Sequence, residues 1–206
     1  MKRIFAVGCS FFISVAALAE TTDSDRLPHC VSEFRELEVI NNKIKLNAKN
    51  DSKYDSYKKA FVSDSDEELM ARLIYAETKA TKCEKLNSAI VPVITKVISN
   101  RVKIKKGDVK AVVFQRDQFA SSLNIYPESN YKDFLCPNDS KLWTSALNEA
   151  SDALADKSKP TTAVNYFLYK HSPRWTKEPW KLEEDTSLTK GSVRDCIKAF
   201  KNPNYK

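Results

Sequence analysis

Glycine, histidine and methionine are scarce in this 206-residue chain, at three, two and two residues. With only three glycines and eight prolines, it lacks the composition of a disordered or fibrous chain. The two histidines, His29 and His171, are far apart and belong to no cluster of His, Cys and carboxylate with metal-hydrolase spacing, so neither a metal nor another cofactor is expected. None of the five cysteines forms a C-x-x-C pair, which argues against a zinc or thioredoxin-like site. Beyond the first residues there is no apolar run near the roughly 20 residues of a membrane span, and there is no internal repeat. What is present is 42% hydrophobic and 30% charged residues, enough apolar material for one soluble domain.

The start of the chain reads as an export signal. Lys2 and Arg3 precede an almost wholly apolar run over residues 4–15, and Ala17, Leu18 and Ala19 supply a small-residue cleavage site. Cleavage after Ala19 removes two positive charges and Cys9, changing the formal net charge from +7 to +5 and leaving Cys30, Cys83, Cys136 and Cys196. Four cysteines in an exported chain suggest two disulfides. Three connectivities are possible. The pairing preferred is Cys30 with Cys83, pinning the N-terminal segment to the main body, and Cys136 with Cys196.

The chain divides into the signal over 1–19, a small helical appendage and connector over 20–62, and a main domain over 63–206. In the connector, Tyr54 and Tyr57 adjoin Phe61 and are expected to pack locally. Ser65, Asp66, Glu67 and Glu68 form a capping box, after which Leu69, Met70, Leu73, Ile74 and Ala76 define an apolar helical face. A second helix carries a wide stripe of Leu86, Ala89, Ile90, Val93, Ile94, Val97 and Ile98, with Pro92 expected to kink it or mark its beginning. A short helix follows Gly107, residues 121–137 read as an irregular loop, and a clear helix follows Asp139. Residues 163–169 are the best strand, and 192–200 suit a last short helix. The fold class is mainly α, or α+β with a small β element.

One residue contradicts its own helix. Glu77 follows Leu73 by four residues, Met70 by seven and Leu69 by eight, all spacings that place it on the apolar face. Burial there disfavours the charged carboxylate and pushes its pKa upward, as a general acid requires. The structural alternative is an ion pair with Arg101 on the second helix.

The residues around Glu77 carry a resemblance. Residues 69–77, LMARLIYAE, followed by VISNRV over 97–102, VVFQ over 112–115 and Gln118-Phe119, resemble the ordered motifs of the SleB-type cell-wall hydrolases, the spore-cortex-lytic family. Trp143, Ala146 and Ala150 match that family's next helix, and residues 163–167 with Pro173, Arg174 and Trp175 resemble its closing region. The resemblance spans roughly residues 68–175. It departs from the family at Thr78-Lys79-Ala80-Thr81, which replaces an Ala-Arg-Gly-Glu run, at Ala120, and in the missing terminal histidine motif.

The resemblance implies a lysozyme-like helical domain acting on the β-1,4 bond between N-acetylmuramic acid and N-acetylglucosamine. Glu77 would protonate the bridging oxygen. Asn100 and Arg101 would orient it or buttress the helix pair, Gln118 and Phe119 would line the groove, and Tyr166 and Trp175 would stack on sugar faces. A second carboxylate for hydrolysis has only Asp117, Glu128 and Asp133 as candidates near the loop, none in a recognisable motif. A lytic transglycosylase is therefore preferred over a hydrolase, with a non-catalytic wall-binding or inhibitor protein as the alternative class. Either enzyme needs no cofactor. The expected partner is peptidoglycan in the periplasm or outside the cell, since export argues against nucleic acid despite the basic balance. His171, close to Trp175, carries little weight alone.

Overall fold

The computed structural model describes residues 27–31, 59–115, 119, 131–158, 163–168 and 182–201. The segment expected to be an export signal, most of the connector with Tyr54 and Tyr57, and Gln118, His171 and Trp175 lie outside these residues. The described chain is a mainly helical α+β fold. Its elements run α1 (Asp66–Ala80), a 3-10 turn (Glu84–Leu86), α2 (Asn87–Ile104), α3 (Val109–Val113), α4 (Tyr131–Leu135), α5 (Ser140–Ala155), β1 (Ala163–Leu168), β2 (Glu183–Glu184), a second 3-10 turn (Gly191–Asp195) and β3 (Ile197–Lys201).

Helix α1 starts where the capping signal placed it. Ser65 is extended and its hydroxyl accepts from the Glu68 amide at 3.0 Å, satisfying one of the open donors of the first turn. Asp66, Glu67 and Glu68 add negative charge at the positive end of the helix. The expectation of a single apolar face was too narrow. All ten residues from 69 to 78 are buried, because α2, α3, α4 and α5 all pack around α1.

Pro92 lies inside α2 and does not begin it. It withholds the amide that would bond to the Ser88 carbonyl one turn earlier, but Ser88 is exposed and water can serve that group. Ala89, expected in the buried stripe, is exposed beside it, while Ile90, Val93, Ile94, Val97 and Ile98 are buried as their spacing implied. The helix ends where Gly107, at φ 91°, returns its amide to the Val102 carbonyl at 2.9 Å, a conformation that favours glycine. Asp108 then caps α3 by accepting from the Ala111 amide. Asp139 caps α5 through Leu142 in the same way.

Two expectations are corrected. Part of the supposed irregular loop is helix α4, which folds because Phe134 and Leu135 are buried against α1 and its neighbours. The supposed last helix is instead a 3-10 turn followed by β3, the central strand of an antiparallel sheet ordered β1-β3-β2. There Ile197 and Ala199 alternate with Lys198, and pairing to both neighbours supplies backbone partners that a short isolated helix would lack. Strand β1 lies where it was expected.

The preferred disulfide pairing is also corrected. Cys30 joins Cys136 with Cα atoms 4.4 Å apart, and Cys83 joins Cys196 at 6.3 Å. Residues 27–31 lie along α4, where the Val31 amide donates to the Leu135 carbonyl at 3.1 Å, so the partner of Cys30 is the cysteine just after α4. Cys83 lies just beyond the end of α1 and meets the start of β3. The two bonds span separations of 106 and 113 residues, which sequence proximity could not suggest.

Arg72 connects these parts. It is fully buried, and each of its five N–H groups has an acceptor. Nε donates to Asp64 Oδ2 at 2.7 Å, Nη1 to the Phe134 and Leu135 carbonyls at 3.3 and 3.1 Å, and Nη2 to the His29 carbonyl at 2.7 Å and Glu68 Oε1 at 3.1 Å. Its guanidinium also lies 5.7 Å from the centre of the Phe61 ring. One cation thus satisfies the open carbonyls at the end of α4, holds residues 27–31 and neutralises a buried aspartate. Arg72→Met should destabilise the protein by about 3–5 kcal/mol in urea denaturation, since it strands Asp64, and Arg72→Met with Asp64→Leu should recover part of that loss.

Candidate active site

Glu77 lies in the last full turn of α1 and is 8% exposed. Its burial follows from the central position of the helix and not from membership of one face, since the adjacent Thr78 is buried as well. The Thr78 hydroxyl donates to the Ile74 carbonyl at 2.7 Å, a local bond that satisfies a buried polar group within the helix.

On α2, Asn100 is fully buried and Arg101 is half-buried. The Arg101 guanidinium lies 4.7 Å from the centre of the Phe119 ring, within cation–π range, and Phe119 is almost fully buried. The structure therefore brings two of the expected site residues together, although they are 18 positions apart in the chain. Tyr166 is in β1, paired with Ala199 of β3. Gln118 and Trp175 lie outside the described residues, as do Asp117 and Glu128.

Asp133 can be placed, and it is on the wrong side of α1 to face Glu77. Helix α4 packs on the stripe of α1 that carries Glu68, Arg72, Tyr75 and Lys79, as the Arg72 bonds to Phe134 and Leu135 demonstrate. Glu77 is two residues from both Tyr75 and Lys79, which at 100° per residue places it roughly 160° around the axis from that stripe. Burial pushes the Asp133 pKa up, with nearby Lys79 opposing the shift.

The same stripe holds Tyr75, whose role the sequence did not announce. Its hydroxyl oxygen accepts from the Asn138 and Asp139 amides at 3.1 and 3.0 Å and donates to Asn138 Oδ1 at 3.0 Å. Burial raises its pKa, while the two donating amides pull the other way. Tyr75 also meets Trp143 edge-on at 6.5 Å, so it fixes the start of α5 against α1.

Glu77 lines neither of two clefts formed by described residues. One of about 220 Å³ separates α2 from α5, with Lys96, Glu149, Asp152 and Asp156 on its walls. The other, of about 350 Å³, lies where α2 and α5 begin and is lined by Glu84, Lys85, Asp139 and Lys141 among others. Elsewhere, His29, Asp64 and Glu68 converge at the start of α1.

Together these features define an α+β domain built around one central helix, with a buried carboxylate near its end and two disulfides. No family model, curated protein or solved structure matches the chain. The disulfides are compatible with an exported protein in an oxidising compartment. Among the described residues, no helix is long and apolar enough to cross a membrane.

The position of Asp133 yields a pH-dependent expectation. Because its folded pKa is raised, the folded protein holds that proton to higher pH than the unfolded chain does, and ionisation above that pKa costs stability. Asp133→Asn should raise the urea midpoint at neutral pH. The gain should shrink as the pH falls through the carboxylate range, which paired denaturation curves would measure.

Proposed function

We propose that this chain is an exported peptidoglycan-cleaving enzyme acting on the β-1,4 bond between N-acetylmuramic acid and N-acetylglucosamine. The observation that carries this reading is the burial of Glu77 near the end of the central helix, within the segment that resembles the SleB-type hydrolases. A carboxyl shielded from water retains its proton more readily, as a group that must donate to a glycosidic oxygen requires.

The reaction needs one proton delivered and one removed. Glu77 protonates the bridging oxygen as the muramic acid ring develops oxocarbenium character. Hydrolysis would then use a second carboxylate to guide water. Asp133 faces the other side of α1, which favours the alternative: the 6-hydroxyl of the same muramic acid attacks the anomeric carbon while the carboxylate of Glu77 takes its proton. The product is a 1,6-anhydro sugar, with Glu77 reprotonated and no cofactor consumed. Lytic transglycosylation is therefore the preferred reaction.

In this reading, Phe119 and the guanidinium of Arg101 above it form a rigid unit on the α2 side of the site. Gln118, Tyr166 and Trp175 are assigned to the glycan groove, and Asn100 to support of the helix pair. The mature charge of +5 suits an anionic wall polymer encountered in the periplasm or outside the cell.

Glu77→Gln should fold normally, by circular dichroism, and lose about 10²- to 10⁴-fold in activity. Zymography on purified cell walls measures this, and equal clearing by wild type and variant would remove Glu77 from the chemistry. Mass spectrometry of the released muropeptides should find anhydro-muramyl ends, one water lighter than reducing ends. Recovering only reducing ends would replace transglycosylation with hydrolysis. Wall binding without cleavage by the wild type would leave a binding protein.

A further inference from the structure

At the start of α1, side chains from two stretches of sequence, His29 from one and Asp64 and Glu68 from the other, surround an incompletely satisfied oxygen. Asp64 has a fully buried side chain, and Arg72 takes its Oδ2. Its Oδ1 is buried without a hydrogen-bond partner. That oxygen faces His29 Nε2 at 3.6 Å, beyond hydrogen-bond length. His29 Nδ1 is 3.7 Å from Glu68 Oε1 on the other side of the ring. A buried carboxylate oxygen without a donor is costly, and its surroundings are those of a cation site.

We propose that His29, Asp64 and Glu68 form a site for a divalent transition metal of the zinc class. One ligand atom from each residue lies within 4.8 Å of the other two. In a tetrahedral zinc site, ligand atoms are about 3.3 Å apart, so small movements of the imidazole and the glutamate close the site. Both side chains are partly exposed, 51% for His29 and 27% for Glu68, which leaves room for such movement. One imidazole nitrogen with carboxylate oxygens suits zinc, nickel or manganese better than calcium or magnesium.

Arg72 does not block the site. It holds Asp64 by Oδ2 and Glu68 by Oε1, leaving Asp64 Oδ1 and Glu68 Oε2 to turn toward the ion. Hydrogen bonding of this kind orients metal-binding carboxylates. Two carboxylates and one guanidinium sum to a single negative charge, which still attracts a dication. Half-exposed His29 leaves the remaining coordination positions to water. The ion would tie residues 27–31 to the first turn of α1, beside the Cys30–Cys136 bond. The site lies nine residues from Glu77, about 13 Å along the helix, so it is separate from the proposed catalytic group.

Metal binding requires the neutral imidazole, so uptake is measured where histidine is ordinarily unprotonated. The mature chain with both disulfides formed is titrated with zinc chloride by calorimetry at about pH 7.5, above the ordinary histidine range. The site predicts one ion per chain and a zinc-dependent rise in melting temperature. His29→Ala and Glu68→Gln, both at partly exposed positions, should each weaken zinc binding by about tenfold or more. Absence of one-to-one binding by the wild type, or unchanged binding in either variant, would overturn the site.

Discussion

The buried guanidinium of Arg72 is the interaction on which the rest of the fold depends. A cation with no exposure to water is tolerable only if every donor is met and its charge is compensated, and Arg72 meets both conditions with five acceptors from four parts of the chain. Its ligands fix what lies around them. The carbonyls of Phe134 and Leu135 hold α4 against α1, the His29 carbonyl places residues 27–31, and Asp64 closes the turn that begins at Phe61. The Cys30–Cys136 bond reinforces an arrangement whose polar centre is this one side chain.

Helix α1 therefore carries two charged residues that its surroundings should exclude. Arg72 serves architecture, with its contacts spread over a network of backbone and side-chain acceptors. Glu77, five residues later and on a different side of the helix, is the residue to which the resemblance assigns chemistry. The stripe occupied by Glu68, Arg72, Tyr75 and Lys79 meets α4 and the start of α5, and it takes Asp133 with it. That division of the helix surface is what separates Glu77 from Asp133.

Much of the fold was legible in local chemistry. Ser65, Asp108 and Asp139 are side-chain caps, and each sits where a helix begins because a short acceptor before an apolar period can satisfy open amides. Helix α4 was not legible, since five residues within a polar, proline-containing stretch give too little periodicity to outweigh turn composition. The segment that became β3 failed for another reason. A short run with lysines at 198 and 201 fits a helical or an extended pattern, and its pairing with β1 and β2 decided between them. The anomaly at Glu77 was visible in the helix period. Arg72 offered the same signal, a charge within the apolar run of residues 69–76, but an arginine in a recognisable motif did not disclose the carbonyls it would reach.

The amino-acid sequence by itself determined where α1 and α5 start, which stretches are apolar enough to be buried, that four cysteines lie beyond residue 19, and that Glu77 sits among hydrophobic neighbours. These are properties of short windows, set by capping, periodicity and composition. Only the tertiary structure decided the partners: Cys30 with Cys136, Cys83 with Cys196, Arg101 over Phe119, and His29 with Asp64 and Glu68. Those contacts join residues far apart along the chain. Their proximity results from how the other elements pack around α1, and no local pattern encodes that packing.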